Sequence, residues 1–141
     1  LLENKMGPYI HKVNYYETDK MGITHHSNYI RIMEEARIYL LDKIGWSYDK
    51  LEATGIGSPV MSLEANYKKS TSFPDVINVY INVEKRSACK ITFGYKFMVG
   101  DDVVFTGKSS HCFINEKGMP VIIEKSYPAL AKAFAELEQP L

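Results

Sequence analysis

The sequence predicts an α+β domain in which an antiparallel sheet curls over one long helix. Three observations carry this expectation. Apolar residues recur three or four apart over one extended stretch, about Ser27 to Ile44; strict alternation dominates the second half of the chain; and the segments between carry turn chemistry. At 141 residues the chain has the length of a single domain, expected to span 1–141, and can bury enough surface to fold without disulfides or a structural metal.

The elements follow in order. Tyr9 to Tyr16 is aromatic and β-branched and reads as a strand, and Glu17 to Thr24 as a polar turn containing Gly22. Tyr29, Met33, Ala36, Leu40 and Ile44 then form a helical stripe, with Ile30, Arg37 and Leu41 alongside. Glu34 lies three residues from both Arg31 and Arg37, so ion pairs on the outer face are expected. Gly45 reads as a left-handed stop, with Trp46 folding back on Leu41. A short helical turn over Tyr48 to Ala53 precedes a loop at Gly57-Ser58-Pro59. Strands are expected over Val60 to Thr71, Val76 to Arg86, Lys90 to Val99 and Val103 to Asn115. In the second of these Ile77, Val79, Ile81 and Val83 face one way and Asn78, Tyr80, Asn82 and Glu84 the other, so one face is buried and one partly wet. Pro128 opens a last helix with Leu130, Phe134 and Leu137 on its apolar side.

Composition excludes several functions. Lys plus Arg equals 17 and Asp plus Glu equals 17, which removes the bulk electrostatic reason to expect nucleic acid or an anionic membrane as partner. The longest uninterrupted apolar run is Ile38 to Leu41, too short for a transmembrane segment or a secretory core. Cys89 and Cys112 have no metal-ligand spacing and suit a reducing compartment, so a cytoplasmic location is expected.

The segment from Tyr15 to Tyr29 could carry chemistry. It joins a strand end, a glycine turn bearing Asp19, and a helix start, where unpaired backbone N–H groups and the positive end of the dipole lie. A carboxylate facing such amides suits acyl transfer: it attacks or activates water while the amides receive the developing oxyanion. A thioester fits best, because a thiolate leaves without a strong general acid, the thiol pKa being about 8.5. The simpler readings are a turn aspartate at 19, core aromatics at Tyr15 and Tyr16, and a capping serine at 27. If Ser27 is the cap, the free amides are those of Asn28, Tyr29 and Ile30; if His25 is, they are those of His26 and Ser27. The adjacent pair His25-His26 lacks both i, i+4 spacing and a third ligand, so no metal is expected.

Tyr15, Asp19, Gly22, His26, Asn28 and Tyr29, followed by a long amphipathic helix, resemble the signature of hotdog-fold acyl-CoA thioesterases. The resemblance is to the 4-hydroxybenzoyl-CoA thioesterase-like group that includes the YbgC-type enzymes. It extends in order through the chain, with Tyr67 to Thr71 similar to the strand that precedes the family's proline-containing turn. Two positions depart: Ser70-Thr71 stand where a proline is frequent, and His25 where an aromatic is.

The resemblance implies a hotdog fold, a five- to six-stranded antiparallel sheet wrapped around the central helix, and hydrolysis of an acyl-CoA to free acid and coenzyme A. Asp19 would be nucleophile or general base. The His26 N–H would polarise the thioester carbonyl, its imidazole assisting with water, and Tyr15 would orient Asp19 or the acyl group. Asn28 and Tyr29 would belong to the substrate site. It further implies a homodimer or homotetramer joined edge to edge, with Val60, Met61 and Leu63 of a partner lining the acyl pocket, and no cofactor beyond the coenzyme A of the substrate. Lys68, Lys69, Arg86, Lys90 and Lys125 are available for its phosphates, although a solvated lysine is the commoner finding. The alternatives are an acyl-carrier-protein thioesterase and a non-catalytic module that binds acyl thioesters.

Overall fold

Five strands, β1 (Tyr9–Lys12), β2 (Val60–Tyr67), β3 (Val76–Arg86), β4 (Lys90–Val99) and β5 (Asp102–Cys112), form one antiparallel sheet in the computed structural model, which describes residues 7–138. Their order is β1-β3-β4-β5-β2, so the short β1 and the longer β2 are its edges. The outermost residues of the expected 1–141 span lie outside the described residues. Register shifts interrupt the β2–β5, β3–β4 and β4–β5 ladders. Each irregularity adds local twist and bend, which lets the sheet curl over a helix instead of lying flat.

That helix, α1 (Ser27–Lys43), buries Tyr29, Ile32, Met33, Ala36, Leu40 and Leu41 against the inward row Ile77, Val79, Ile81 and Val83 of β3 and its neighbours on β4. Each large aliphatic side chain so enclosed contributes about 1.5–3 kcal/mol. The helix ends as its sequence requires. Gly45 takes φ +83°, the Trp46 N–H reaches the Leu41 carbonyl at 2.9 Å, and the Gly45 N–H reaches that of Asp42 at 3.1 Å. Three short helices follow: α2 (Tyr48–Ala53), α3 (Ile123–Ser126) and α4 (Pro128–Ala135). No helix among the described residues is long and apolar enough to cross a membrane.

Four expectations need correcting. The first strand stops at Lys12, and Tyr15–Glu17 form a 3-10 turn, because the Glu17 carboxylate accepts the Asn14 N–H at 2.7 Å and the Glu17 N–H returns to the Asn14 carbonyl at 2.9 Å. Tyr15 and Tyr16 are consequently 76% and 83% exposed rather than in the core. The strand β2 stops at Tyr67, because the Lys68 and Lys69 N–H groups converge on the single carbonyl of Val104. Arg37 makes no outer-face pair with Glu34. It is 6% exposed and donates inward to the Tyr95 hydroxyl at 3.0 Å.

Arg37 begins a hydrogen-bonded chain through the core. The Ser58 carbonyl can only accept, so at 3.1 Å it takes the His111 Nδ1 proton; His111 Nε2 then accepts from Ser109 at 2.8 Å, and Ser109 accepts from Tyr95 at 2.6 Å. Every proton therefore points from the guanidinium toward Ser58. Burial lowers the His111 pKa from 6.5 to about 4, and the nearby Arg37 charge adds to this against the opposing Ser58 hydrogen bond. Between those two values the unfolded chain binds more protons at this position than the folded one. Stability from this group is thus complete above pH 6.5 and is lost as the pH falls toward about 4, by at most about 3 kcal/mol. Urea unfolding at pH 7 and pH 5 should show the loss, and His111→Gln should flatten that pH dependence.

Candidate active site

Residues 17–26 form a closed loop laid against the start of α1. Its turn is shut by the Asp19 N–H on the Ile23 carbonyl (2.8 Å) and the Gly22 N–H on the Asp19 carbonyl (2.9 Å), with Gly22 at φ +81°, a backbone conformation glycine adopts without strain. Inside this turn one oxygen of the Asp19 carboxylate accepts the Met21 N–H at 2.9 Å, which fixes the side chain; no donor among the described residues meets the other oxygen. The Glu17 carbonyl fastens the loop to the helix by accepting both the His25 N–H and the Asn28 side-chain amide, each at 2.8 Å.

The residue that caps the helix is His26, neither of the two expected: its backbone is helical at φ −55° and its side chain makes no capping bond. Just before it, the His25 carbonyl accepts the Asn28 N–H at 3.0 Å, and His25 Nδ1 faces the Ser27 N–H at 3.3 Å and the Ser27 hydroxyl at 2.9 Å. The His26 carbonyl accepts from Tyr29 N–H at 3.2 Å and from the Tyr67 hydroxyl at 3.0 Å. The His26 N–H is left with no acceptor among the described residues. Thr71 closes the rear of the site. Its carbonyl takes the Thr24 N–H at 2.8 Å, and its hydroxyl meets those of Thr24 at 2.7 Å and Tyr29 at 2.9 Å.

Asp19, His26, Tyr29, Lys68 and Lys69 line one cleft of about 300 Å³, together with Met21 and Tyr67. Five of the expected site residues therefore meet in one place. Asn28 acts behind it, through its bond to Glu17. Tyr15 does not reach the cleft. The 3-10 turn swings its ring outward to pack edge-on against Phe73 at 5.7 Å. Val60, Met61 and Leu63 lie exposed on β2, and Met61 borders a second, larger cleft of about 510 Å³ that also includes Lys85, Arg86 and Lys90. Arg86 is already held by Glu124 and Glu138. The cleft with the carboxylate is thus the smaller of the two, and the chemistry, not the volume, singles it out. The His25 and His26 rings pack 4.3 Å apart, and no group of three or more metal-ligating side chains exists among the described residues.

Comparison with known proteins decides the family. The model of the thioesterase-like superfamily matches residues 13–134. The chain belongs to the thioesterase-like superfamily. An Aquifex aeolicus protein named "Putative esterase" is 37% identical over 117 residues, which are 83% of this chain and 91% of that protein. A Bacillus subtilis protein named "Putative acyl-CoA thioesterase YneP" is 30% identical over 130 residues, 91% of this chain and 94% of its own length. The structure of DHNA-CoA thioesterase from Staphylococcus aureus superposes with a TM-score of 0.85 at 33% identity, covering 91% of this chain and 87% of that one.

The present thioesterase is accordingly a thioester hydrolase of the hotdog fold, and two residues around the cleft, Tyr67 and Glu17, escape motif reading. Tyr67 ends an alternating strand, and nothing in its neighbours announces that its hydroxyl turns back to His26. Glu17 is buried, with its carboxylate 2.9 Å from His11 Nε2, while His11 Nδ1 lies 3.2 Å from Glu35. These contacts join β1, the loop and α1 across a sequence distance that periodicity does not record. Glu17→Ala should leave a buried imidazole and the Asn14 N–H without their acceptor and destabilise the thioesterase by about 2–4 kcal/mol in urea unfolding.

Proposed function

We propose that this thioesterase hydrolyses acyl-CoA thioesters, with Asp19 as the reacting carboxylate and the His26 N–H as the donor to the oxyanion. One observation carries the reading: a carboxylate with one oxygen tethered and the other unpartnered lines the same cleft as the unsatisfied amide that opens α1. A thioester carbonyl lodged at that amide has its carbon open to attack. Either the free Asp19 oxygen adds to it directly and water later cleaves the anhydride, or Asp19 takes a proton from the water that adds. In both routes the carbonyl oxygen gains charge opposite the N–H, the C–S bond breaks, and the thiolate leaves and is protonated by solvent. The fixed amide and the helix dipole need no reorganisation as that charge forms.

Asp19→Asn should lower kcat by about 10²–10⁴-fold with the fold retained, as expected for loss of a positioned base or nucleophile. His26→Pro removes the N–H at a position whose φ of −55° suits proline, and should lower kcat by about 10²–10³-fold, whereas His26→Ala keeps the donor and most of the rate. A His26→Pro protein that is folded and fully active would sink the reading.

The active unit is proposed to be a dimer paired through β2. Among the residues of this edge strand only Ala65 is even half-buried, and Val60, Met61, Leu63 and Tyr67 expose large apolar surfaces beside an unpaired backbone edge. Met61 and Tyr67 stand about 20 Å apart along the strand. Antiparallel pairing with a second copy in full-length register sets the Met61 end of one strand beside the Tyr67 end of the other. The cleft bearing Lys85 and Lys90 is thereby brought toward the partner's carboxylate, which fits an elongated thioester with phosphates at one end and the reacting carbonyl at the other. Sedimentation at micromolar concentration should give a dimer or a multiple of it. Leu63→Lys should shift the protein to monomer and abolish turnover, while Asp19→Asn leaves the assembly intact.

A further inference from the structure

Arg37 is a buried charge that thioester hydrolysis does not use. Its Nη1 donates to Tyr95 and it also hydrogen-bonds the Tyr48 hydroxyl, but among the described residues no carboxylate pairs with it and its Nε has no hydrogen-bond partner. Burial raises the Tyr95 hydroxyl above its ordinary pKa, so at neutral pH it offers a dipole and not a counter-charge. His111, held neutral, adds none. A guanidinium taken out of water without an opposite charge is costly, and buried charges are ordinarily paired.

Beside Arg37 lies a cavity of about 20 Å³, bordered by Tyr48, Ser58 and His111 and otherwise by apolar side chains such as Phe93 and Phe134. One water-sized occupant needs about 10–15 Å³. The cavity therefore admits a single small particle and excludes phosphate, sulfate or a substrate fragment. Tyr48, Leu51, Ser58 and Phe113 also wall an open cleft of about 360 Å³ beneath α2, so the cavity is separated from solvent by side chains alone.

We propose that this cavity is a site for a small monovalent anion of the halide class, chloride in the cell, which supplies the charge that Arg37 lacks and holds the base of α1 to the sheet. The partners suit such an ion. Arg37 Nε and the Tyr48 hydroxyl are donors, and the apolar walls favour an anion that is weakly hydrated. Arg37 lies about three turns along α1 from the His26 end, so chloride acts on the fold and not on the reaction.

The test uses the wild-type protein and compares sodium chloride with sodium gluconate, whose monovalent anion is too large for the cavity, at equal ionic strength. Between zero and 200 mM chloride the thermal midpoint should rise by about 3–6 °C with a saturating dependence, and gluconate should not reproduce it. Arg37→Met should abolish the difference between the two salts. Because that variant also loses the Tyr95 hydrogen bond, crystals of the wild-type protein soaked in sodium bromide provide an independent arm, with an anomalous peak expected against Arg37. Identical curves in the two salts, or a bromide-soaked crystal whose cavity holds no anomalous scatterer, would overturn the proposal and assign the space to water. Kinetics with a reference acyl-CoA at a temperature well below the midpoint should be the same in both salts, since nothing in the proposal reaches the carboxylate cleft.

Discussion

Thr71 fixes the geometry on which the rest of the site depends. It is buried, and its backbone and side chain together bind Thr24 of the loop and Tyr29 of α1. Loop, helix and the chain leaving β2 are therefore joined at one residue, without any charged group. Such short hydroxyl contacts are individually modest, about 0.5–1.5 kcal/mol each, but they are directional. The apolar core positions α1 only as a cylinder against a curved sheet. These bonds determine its rotation and the height of its first turn, and so where the His26 amide stands relative to Asp19.

The sheet contributes through its asymmetry. The central strands β3, β4 and β5 carry most of the buried apolar rows, and Lys85, Arg86 and Lys90 on β3 and β4 also reach the larger cleft. The edge β2 gives the core only the half-buried Ala65, yet it supplies Tyr67 to one cleft and Met61 to the other. The buried polar chain from Arg37 to Ser58 lies about three turns further along the helix, where dipoles lined up in one direction meet a single charge.

Much of this was legible in the sequence, for reasons that can be named. The 3.6 period of Tyr29, Met33, Ala36 and Leu40 and the twofold alternation of Ile77 to Val83 are direct images of burial, so the helix and the main strands were read nearly to their ends. Gly45 with Trp46 and Gly22 were legible because backbone conformations of positive φ select glycine. That Asp19 and His26 line one cleft follows from their place on either side of the Gly22 turn, which the motif already displays. Illegible were features decided by single long-range bonds. The 3-10 turn that turns Tyr15 away depends on one glutamate folding back on Asn14, and Arg37 reads as a surface residue on a helical wheel until Tyr95, on a distant strand, is placed beneath it. Four residues of α3 are too few to display a period.

The peptide unit between His25 and His26 is held at one end only. Its carbonyl already accepts the Asn28 N–H, while its own N–H meets no acceptor among the described residues. Electron density drawn toward that oxygen leaves the nitrogen poorer through amide resonance, so its hydrogen is more acidic than that of an isolated amide, by an increment in bond strength of about 10–30%. The first turn of the helix thus sharpens a donor it does not itself consume, and it does so with main-chain atoms, which no side-chain substitution other than proline can delete.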